Sequence, residues 1–537
     1  MEEDNLLQAA LAEKDESKDP TTKSPVPWEL VEHIVGYLDN RSIKSLRLTC
    51  RLFGTVKLRI KRVFISPYTT DMQTFYAIAA SDVYRPDIVE IVYDDAFVGY
   101  LLEEGVSIYT LPASDSMYMS TDPMWLQIEL NANEREIKRR FGNGVGVLPK
   151  RIRKAQRAGS KISVEDASQY WLRLEKEQMQ NILLGADAEA FRYALRHLPA
   201  LRTITVTPAT HGVPFAPLYE TPLIRSIPFG MNYPLPRGWP TRHGGHPIRF
   251  TERWEEDKAI WRGFNMVTKI LAEEKQHHHV SEFFIDAHYL HTGLSCNLFE
   301  QECEEYDNFR AILKQPNFKK LQLSILVAGQ EKINMRWPAF RTGLLRDALA
   351  EASQLEHFSM ETDWDMNRIV QPPTLETFLP IEQWAGLLHF RLWNFPLRSA
   401  NLISTLSQLT RLQSIELGFL DLVEQDNYHD LLNEMRDTLR LHERSVRPRV
   451  RLGIPIPDLM HGRSDYLRGR AIWLDEEVET FLYRGGENLF HPGKDTLARV
   501  MGVVKDAFDP TYERPYVPFS RMDLYYSNRS VKVRGSM

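Results

Sequence analysis

Apolar positions along the chain follow two spacings. From Pro27 onward, Leu30, Val31, Ile34, Val35 and Leu38 recur at intervals of three and four, which places them on one face of a helix. Pro27 suits the first helical position, where its missing N–H costs no hydrogen bond. Asp39 and Asn40 can end that helix and cap a second. In the second, Ile43, Leu46, Cys50 and Phe53 repeat the pattern up to Gly54. Beyond this pair, short apolar runs predict strands in "RVFIS" (Arg62 to Ser66), "DIVEIVY" (Asp87 to Tyr93), "LPALRTITV", "VSEFFID", "FKKLQLSIL", "LEHFSME", "LLHFRLWNF" and "LQSIELGFL". Helical patterns separate them, including one long stretch from Val164 to Leu198 and the segments "GLLRDALAEAS" and "SANLISTLSQLT".

A short unit recurs in the strands: Leu201-x-x-Ile204-x-Val206, Leu355-x-x-Phe358-x-Met360 and Leu412-x-x-Ile415-x-Leu417. It resembles a degenerate leucine-rich repeat, in which each strand–helix pair buries its apolar side against its neighbours. The intervals are irregular and mostly exceed the ~20–29 residues of regular repeats, so a generic α/β domain stays open. The expected fold is α/β: a small helical unit followed by an irregular leucine-rich-repeat-like α/β solenoid. If the repeats stack, Phe358, Met360, Phe390, Leu392, Ile415 and Leu417 point together into the core. The alternate residues then share the concave face. Among them His357, Arg391, Trp393 and Glu416 are the expected substrate-binding positions, with Trp393 exposed as an interface anchor. Burial of Trp393 under the C-terminal segment is the alternative.

Two helices this short are marginal alone, so either the rest of the chain or another protein must cover their apolar faces. Val26-Pro27-x-Glu29-Leu30, Ile34, Leu38, Ser45-Leu46-Arg47-Leu48, Cys50-Arg51 and Phe53 resemble the F-box in order and spacing. Val26 departs from the usual leucine but stays apolar. The resemblance implies a helical unit that docks on a Skp-type adaptor and, through it, joins a cullin-RING (SCF) ubiquitin ligase. The chain would then be the substrate-recognition subunit, doing no bond chemistry itself and acting through effective concentration of its protein substrate. Adaptor contacts are expected from Pro27, Trp28, Leu30, Ile34, Leu38, Leu46, Cys50 and Phe53, with Cys50 a small buried apolar residue. With its irregular repeats and "WLDEEVETFLYRGGENLF" (Trp473 to Phe490), the chain is similar to large F-box proteins of filamentous fungi. A scaffold that binds the adaptor outside any cullin ligase is the second reading. The expected organisation is a tail over 1–23, the F-box over 24–66, the repeat domain over 67–453 and a capping segment over 454–537.

Composition narrows the class. Hydrophobic residues make up 43% of 537 residues, enough for a packed core. Residues Met1 to Lys23 carry seven acidic and three basic side chains and no aromatic ring, which reads as a flexible tail. A net charge of -6 gives no reason to expect nucleic acid. No membrane-length apolar run and no secretory leader stand out, and three cysteines make no disulfide framework. A soluble protein of the cytoplasm or nucleus is expected.

Candidate chemistry is thin. His277, His278, His279, His288, His291, Cys296 and Cys303 include zinc-type ligands, but their spacing fits no closed pattern and no zinc is expected. "FGNGVGVLPKRIRKAQR" (Phe141 to Arg157) is neither a P-loop nor a dinucleotide fingerprint; it reads as a flexible basic loop, with a nuclear-import patch as the alternative. No nucleophile elbow or H-E-x-x-H occurs, so no catalytic residue and no cofactor are assigned. The stretch from Thr207 to Pro247 holds nine prolines and five glycines. It reads as an insertion, either a lip over the concave face or a surface loop without a role.

Overall fold

A computed structural model describes residues 27–97, 102–103, 106–107, 124–141, 149–240, 253–287, 290, 292–327, 337–364, 371–454, 470–495, 497–498 and 503–506. The chain divides into two units, Met1–Ile60 and Lys61–Met537. The strand Arg62–Ile65, counted above with the F-box stretch, therefore belongs to the second unit.

In the first unit, α1 (Trp28–Tyr37) and α2 (Asn40–Arg47) form where the spacing places them. Pro27 stands at the N-cap, one residue before its expected position. The Asp39 carboxylate caps α2 by accepting from the Ser42 N–H at 2.7 Å. Val31 and Ile43 are buried. Asn40 binds the Arg59 backbone through both amide atoms, at 2.8 and 2.7 Å, and the Arg59 guanidinium donates to the Val35 carbonyl. These bonds fold the segment after α2 back onto the helix pair. Because α2 stops at Arg47 and a 3-10 turn (Arg51–Thr55) follows, Cys50 leaves the helical face. It is exposed, which corrects its reading as a buried apolar residue.

The second unit is α/β, with a twelve-stranded, mostly parallel sheet among the described residues. Nine parallel strands join in chain order: β1 (Arg62–Ile65), β2 (Glu90–Asp94), β3 (Thr203–Thr207), β4 (Glu282–Ile285), β5 (Lys320–Leu326), β6 (His357–Thr362), β7 (His389–Trp393), β8 (Ser414–Gly418) and β9 (Arg449–Ile454). A two-residue strand, Leu294–Ser295, also pairs with β5. Two antiparallel strands, β10 (Arg470–Trp473) and β11 (Val503–Asp506), extend the far edge. Helices fill the crossovers, as parallel pairing requires. Those from Thr69–Ala79 and Ala186–His197 through Arg262–Glu273, Glu304–Leu313 and on to Asp475–Tyr483 pack against one another along the chain.

Register explains the core. Val63, Ile91, Ile204, Phe283, Leu321, Phe358, Phe390, Ile415 and Val450 form one row straight across nine strands. All are almost fully buried. Three residues before seven of the nine row members, from Ile91 to Ile415, a buried apolar side chain recurs: Ile88, Leu201, Val280, Phe318, Leu355, Leu387 and Leu412. The backbone repeats with them. The carbonyl of Val89 accepts from Arg202 and Thr203, that of Arg202 from Ser281 and Glu282, that of Ser281 from Lys319 and Lys320, and so on to Leu388. The predicted unit thus marks a turn that delivers each strand to its neighbour in register.

Three expectations change. The stretch from Val164 to Leu198 is two helices, Val164–Leu183 and Ala186–His197, because Gly185 takes a left-handed conformation at φ +64° between them. The basic stretch is not a loop from Lys150 on but a helix, Lys150–Gly159, with Pro149 at its N-cap and Ile152 and Ala155 buried. The proline-rich insertion, over its described part, is neither a free lip nor a bare surface loop. Val213, Leu223, Met231 and Trp239 are buried side chains of the unit's core.

Candidate functional site

The F-box-like residues lie at the surface of the first unit. Leu30 and Ile34, one turn apart on α1, are 54% and 55% exposed, and Tyr37 and Leu48 stand out further. Pro27 is exposed, while Leu38, Leu46 and Phe53 are half-buried. The side chain of Trp28 lies outside the described residues. Each helix thus turns one apolar residue inward, Val31 or Ile43, and leaves others in water.

The strand face opposite the core assembles as the alternation requires. Ser359, Arg391, Glu416 and Arg451 stand in one register row, and His357 and His389 in the next. Their setting differs from an open binding surface. Arg391 donates to Glu416 at 3.0 Å, Ser359 at 2.9 Å and Glu361 at 3.3 Å. Arg451 continues the series to Glu416 at 2.9 Å and Asp475 at 3.1 Å. The result is an alternating ladder, Glu361, Arg391, Glu416, Arg451, Asp475. Trp393 is 2% exposed, packed against Phe419 and Trp473 with the Arg391 guanidinium 4.3 Å from its ring centre. Its expected exposure is therefore overturned, and the competing expectation of burial beneath the C-terminal segment agrees with the Trp473 contact. The His357 and His389 rings stack at 4.0 Å. Burial first, and nearby positive charge second, holds His357 at about 3; burial likewise lowers His389. This row thus makes its polar contacts within the chain.

A second cluster had no signal in the periodicity. Asp94 ends β2 and Asp95 follows it; both, with Asp71, are buried. Asp95 and Asp71 each pin another segment. Asp95 accepts from the Trp239 indole at 2.7 Å and the Gly263 N–H at 3.1 Å. Asp71 accepts from Ser66 and from the Leu223 N–H. Asp187 takes a two-pronged ion pair from Arg262 and a hydrogen bond from the Tyr93 hydroxyl. The acids are what bind the proline-rich insertion to the sheet. The sequence hint was the Asp pair directly after an apolar strand, a position where parallel sheets often collect polar groups.

Asp94 is the least satisfied. One oxygen accepts from the Ala96 N–H, while Oδ2 makes no hydrogen bond. Burial pushes its carboxyl up to about 8, and that of Asp95 to about 7. The folded protein therefore keeps the Asp94 proton from about pH 4 to pH 8, where the unfolded chain has lost it, and stability falls as pH rises through that window. Asp94→Asn removes this cost while preserving the acceptor to Ala96. Thermal melts of the variant should exceed wild type by several degrees at about pH 8.5 and match it near pH 4, since a buried charge costs at least about 1–3 kcal/mol.

The histidine and cysteine cluster is dispersed. His288 and His291 lie outside the described residues. His278 is engaged by the Leu271 carbonyl and the Val280 N–H, and His277 by Glu274. Cys296 is buried beside Asn297. Cys303 instead meets Glu255 and Glu305, with ligand atoms within 4.8 Å of one another. The Lys258 ammonium already bridges those two carboxylates, at 2.7 and 3.2 Å. No helix among the described residues is long and apolar enough to cross a membrane.

Comparison of the chain with protein-family models and with curated proteins finds no match.

Proposed function

We propose that this chain is the F-box substrate-recognition subunit of an SCF-type cullin-RING ubiquitin ligase. It docks on a Skp-type adaptor through α1 and α2, and the sheet unit holds the protein substrate. The observation that carries this reading is the exposed apolar surface of Leu30, Ile34, Tyr37 and Leu48 on a small unit whose own interior uses Val31 and Ile43. Aliphatic side chains one helical turn apart suit an apolar groove on a partner. The strands laid down in chain order, with a buried apolar turn residue before each of β2 to β8, support a leucine-rich-repeat-like reading of the second unit. No bond chemistry is assigned to the chain.

Reconstitution from purified parts tests the assignment. The full chain, a Skp-type adaptor and a cullin should elute as one complex on size exclusion. Assembly with the adaptor while the cullin stays separate would favour the scaffold reading. Failure to bind the adaptor would end both.

A further inference from the structure

We propose that the basic helix Lys150–Gly159 and the cleft beside it form a binding site for an acidic peptide segment. Lys150, Arg153, Lys154 and Arg157 on this helix, and Lys161 just beyond it, are exposed and make no ion pair among the described residues. They stand in a chain whose net charge is -6. Their arrangement works against the helix. Lys150 and Lys154, Arg153 and Arg157, and Arg157 and Lys161 are like charges four residues apart. The first turn holds no acidic residue, although the helix dipole favours one there. Tertiary packing holds the helix in place instead. Ile152 packs with Ile137 and Phe215, and Gly159 lies so close to the Gly230 carbonyl that a Cβ would come within 1.9 Å of its oxygen. A row of cations without an anionic neighbour among the described residues, kept at the expense of local stability, is accounted for by an anionic partner.

The same turn links the helix to a cavity. Phe229 is 64% exposed with the Lys154 ammonium 5.7 Å from its ring centre. Its neighbours Pro228 and Met231 line an open cleft of about 500 Å³, together with Ile162, Ala167, Tyr170 and Arg173, and Asp166 also stands on its wall. A concave, partly apolar cleft beside a basic helix fits a peptide that places one apolar side chain in the cleft and carboxylates along the helix. Nucleic acid fits less well: one exposed ring offers no stacking series for bases. A bilayer surface cannot enter a cleft. That such a peptide belongs to a ligase substrate rests on the F-box reading; the binding itself does not.

The test uses the full chain and a fluorescein-labelled peptide of glutamates around a central leucine, followed by anisotropy. Wild type should bind, more weakly as salt rises. Lys154→Glu with Arg157→Glu and Arg173→Glu should weaken binding at least tenfold, with an unchanged or higher thermal midpoint because like-charge pairs are lost. If the reversal fails to fold, Lys154→Gln with Arg157→Gln should weaken binding severalfold. Unchanged affinity in the folded variants overturns the proposal. So does tighter binding of single-stranded RNA of matched charge, or of phosphatidylserine vesicles, than of the peptide. Adaptor capture is measured in parallel: its persistence in the variants is expected, and its absence in wild type strikes the F-box reading while leaving the peptide result intact.

Discussion

Ile34→Asp combined with Leu46→Asp is expected to abolish capture of a purified Skp-type adaptor. In the docked state each carboxylate would sit in a dry apolar groove without a partner, a cost of roughly 2–7 kcal/mol per polar group and more for a charge. A loss of at least about a hundredfold in affinity, equivalent to about 2.7 kcal/mol, is the conservative expectation. Ile34 is 55% exposed in the free chain, so its substitution leaves the unit's interior alone. Leu46 is half-buried, and its substitution also weakens the first unit. The pair Leu30→Asp with Ile34→Asp avoids that ambiguity, since both side chains are exposed and neither supports Val31 or Ile43. It should give the same loss of capture with an unchanged circular dichroism spectrum. The sheet unit, beginning at Lys61, should melt unchanged in both variants. Retained adaptor binding in both would refute the docking surface.

The second large effect concerns the charged ladder. Arg391→Ala should destabilise the sheet unit by about 3–5 kcal/mol, because it removes the cation shared by the buried Glu361 and Glu416 and leaves Arg451 as the cation beside Glu416. It also removes the cation stacked on Trp393. Arg391→Met with Glu361→Gln and Glu416→Gln should recover much of the loss, since the neutral set needs no counter-charge. Denaturant unfolding of the three proteins measures this directly. A small loss for Arg391→Ala, under about 1 kcal/mol, would show instead that the ladder is solvated like a surface pair.

The two faces of the sheet were legible to different degrees. Alternation alone assigns Phe358, Phe390 and Ile415 to one face and Ser359, Arg391 and Glu416 to the other, and the register agrees. What alternation lacks is the neighbour across the sheet. Arg391 looks like an interface anchor until Glu361 and Glu416 flank it, and Trp393 looks free until Trp473 of β10 packs on it. Cys50 failed for a local reason: one missing turn after Arg47 changes the phase of every later residue. The basic stretch reads as a loop because its glycines hide a helix that starts at Pro149, where the missing N–H is harmless. The proline-rich insertion could not be placed because its anchors, Asp71, Asp95 and Asp286, are far away in the chain. The acids paired with it were equally invisible, since neither partner is unusual until both are adjacent.

The order of strands has a consequence for synthesis. From β3 to β9, each strand pairs with the one made just before it, so a chain emerging from the ribosome can add one layer at a time to an edge already formed. Only one junction breaks this progression. β2 must wait for everything from Asp95 to Arg202 to be made before β3 arrives, with its Ile91 row open meanwhile. Loop closure across that gap is the slowest pairing to nucleate, and the interval of greatest exposure to chaperones and proteases falls there. The carboxylates of Asp71, Asp95 and Asp286, which hold residues 208–240, then act as a late clasp on that seam.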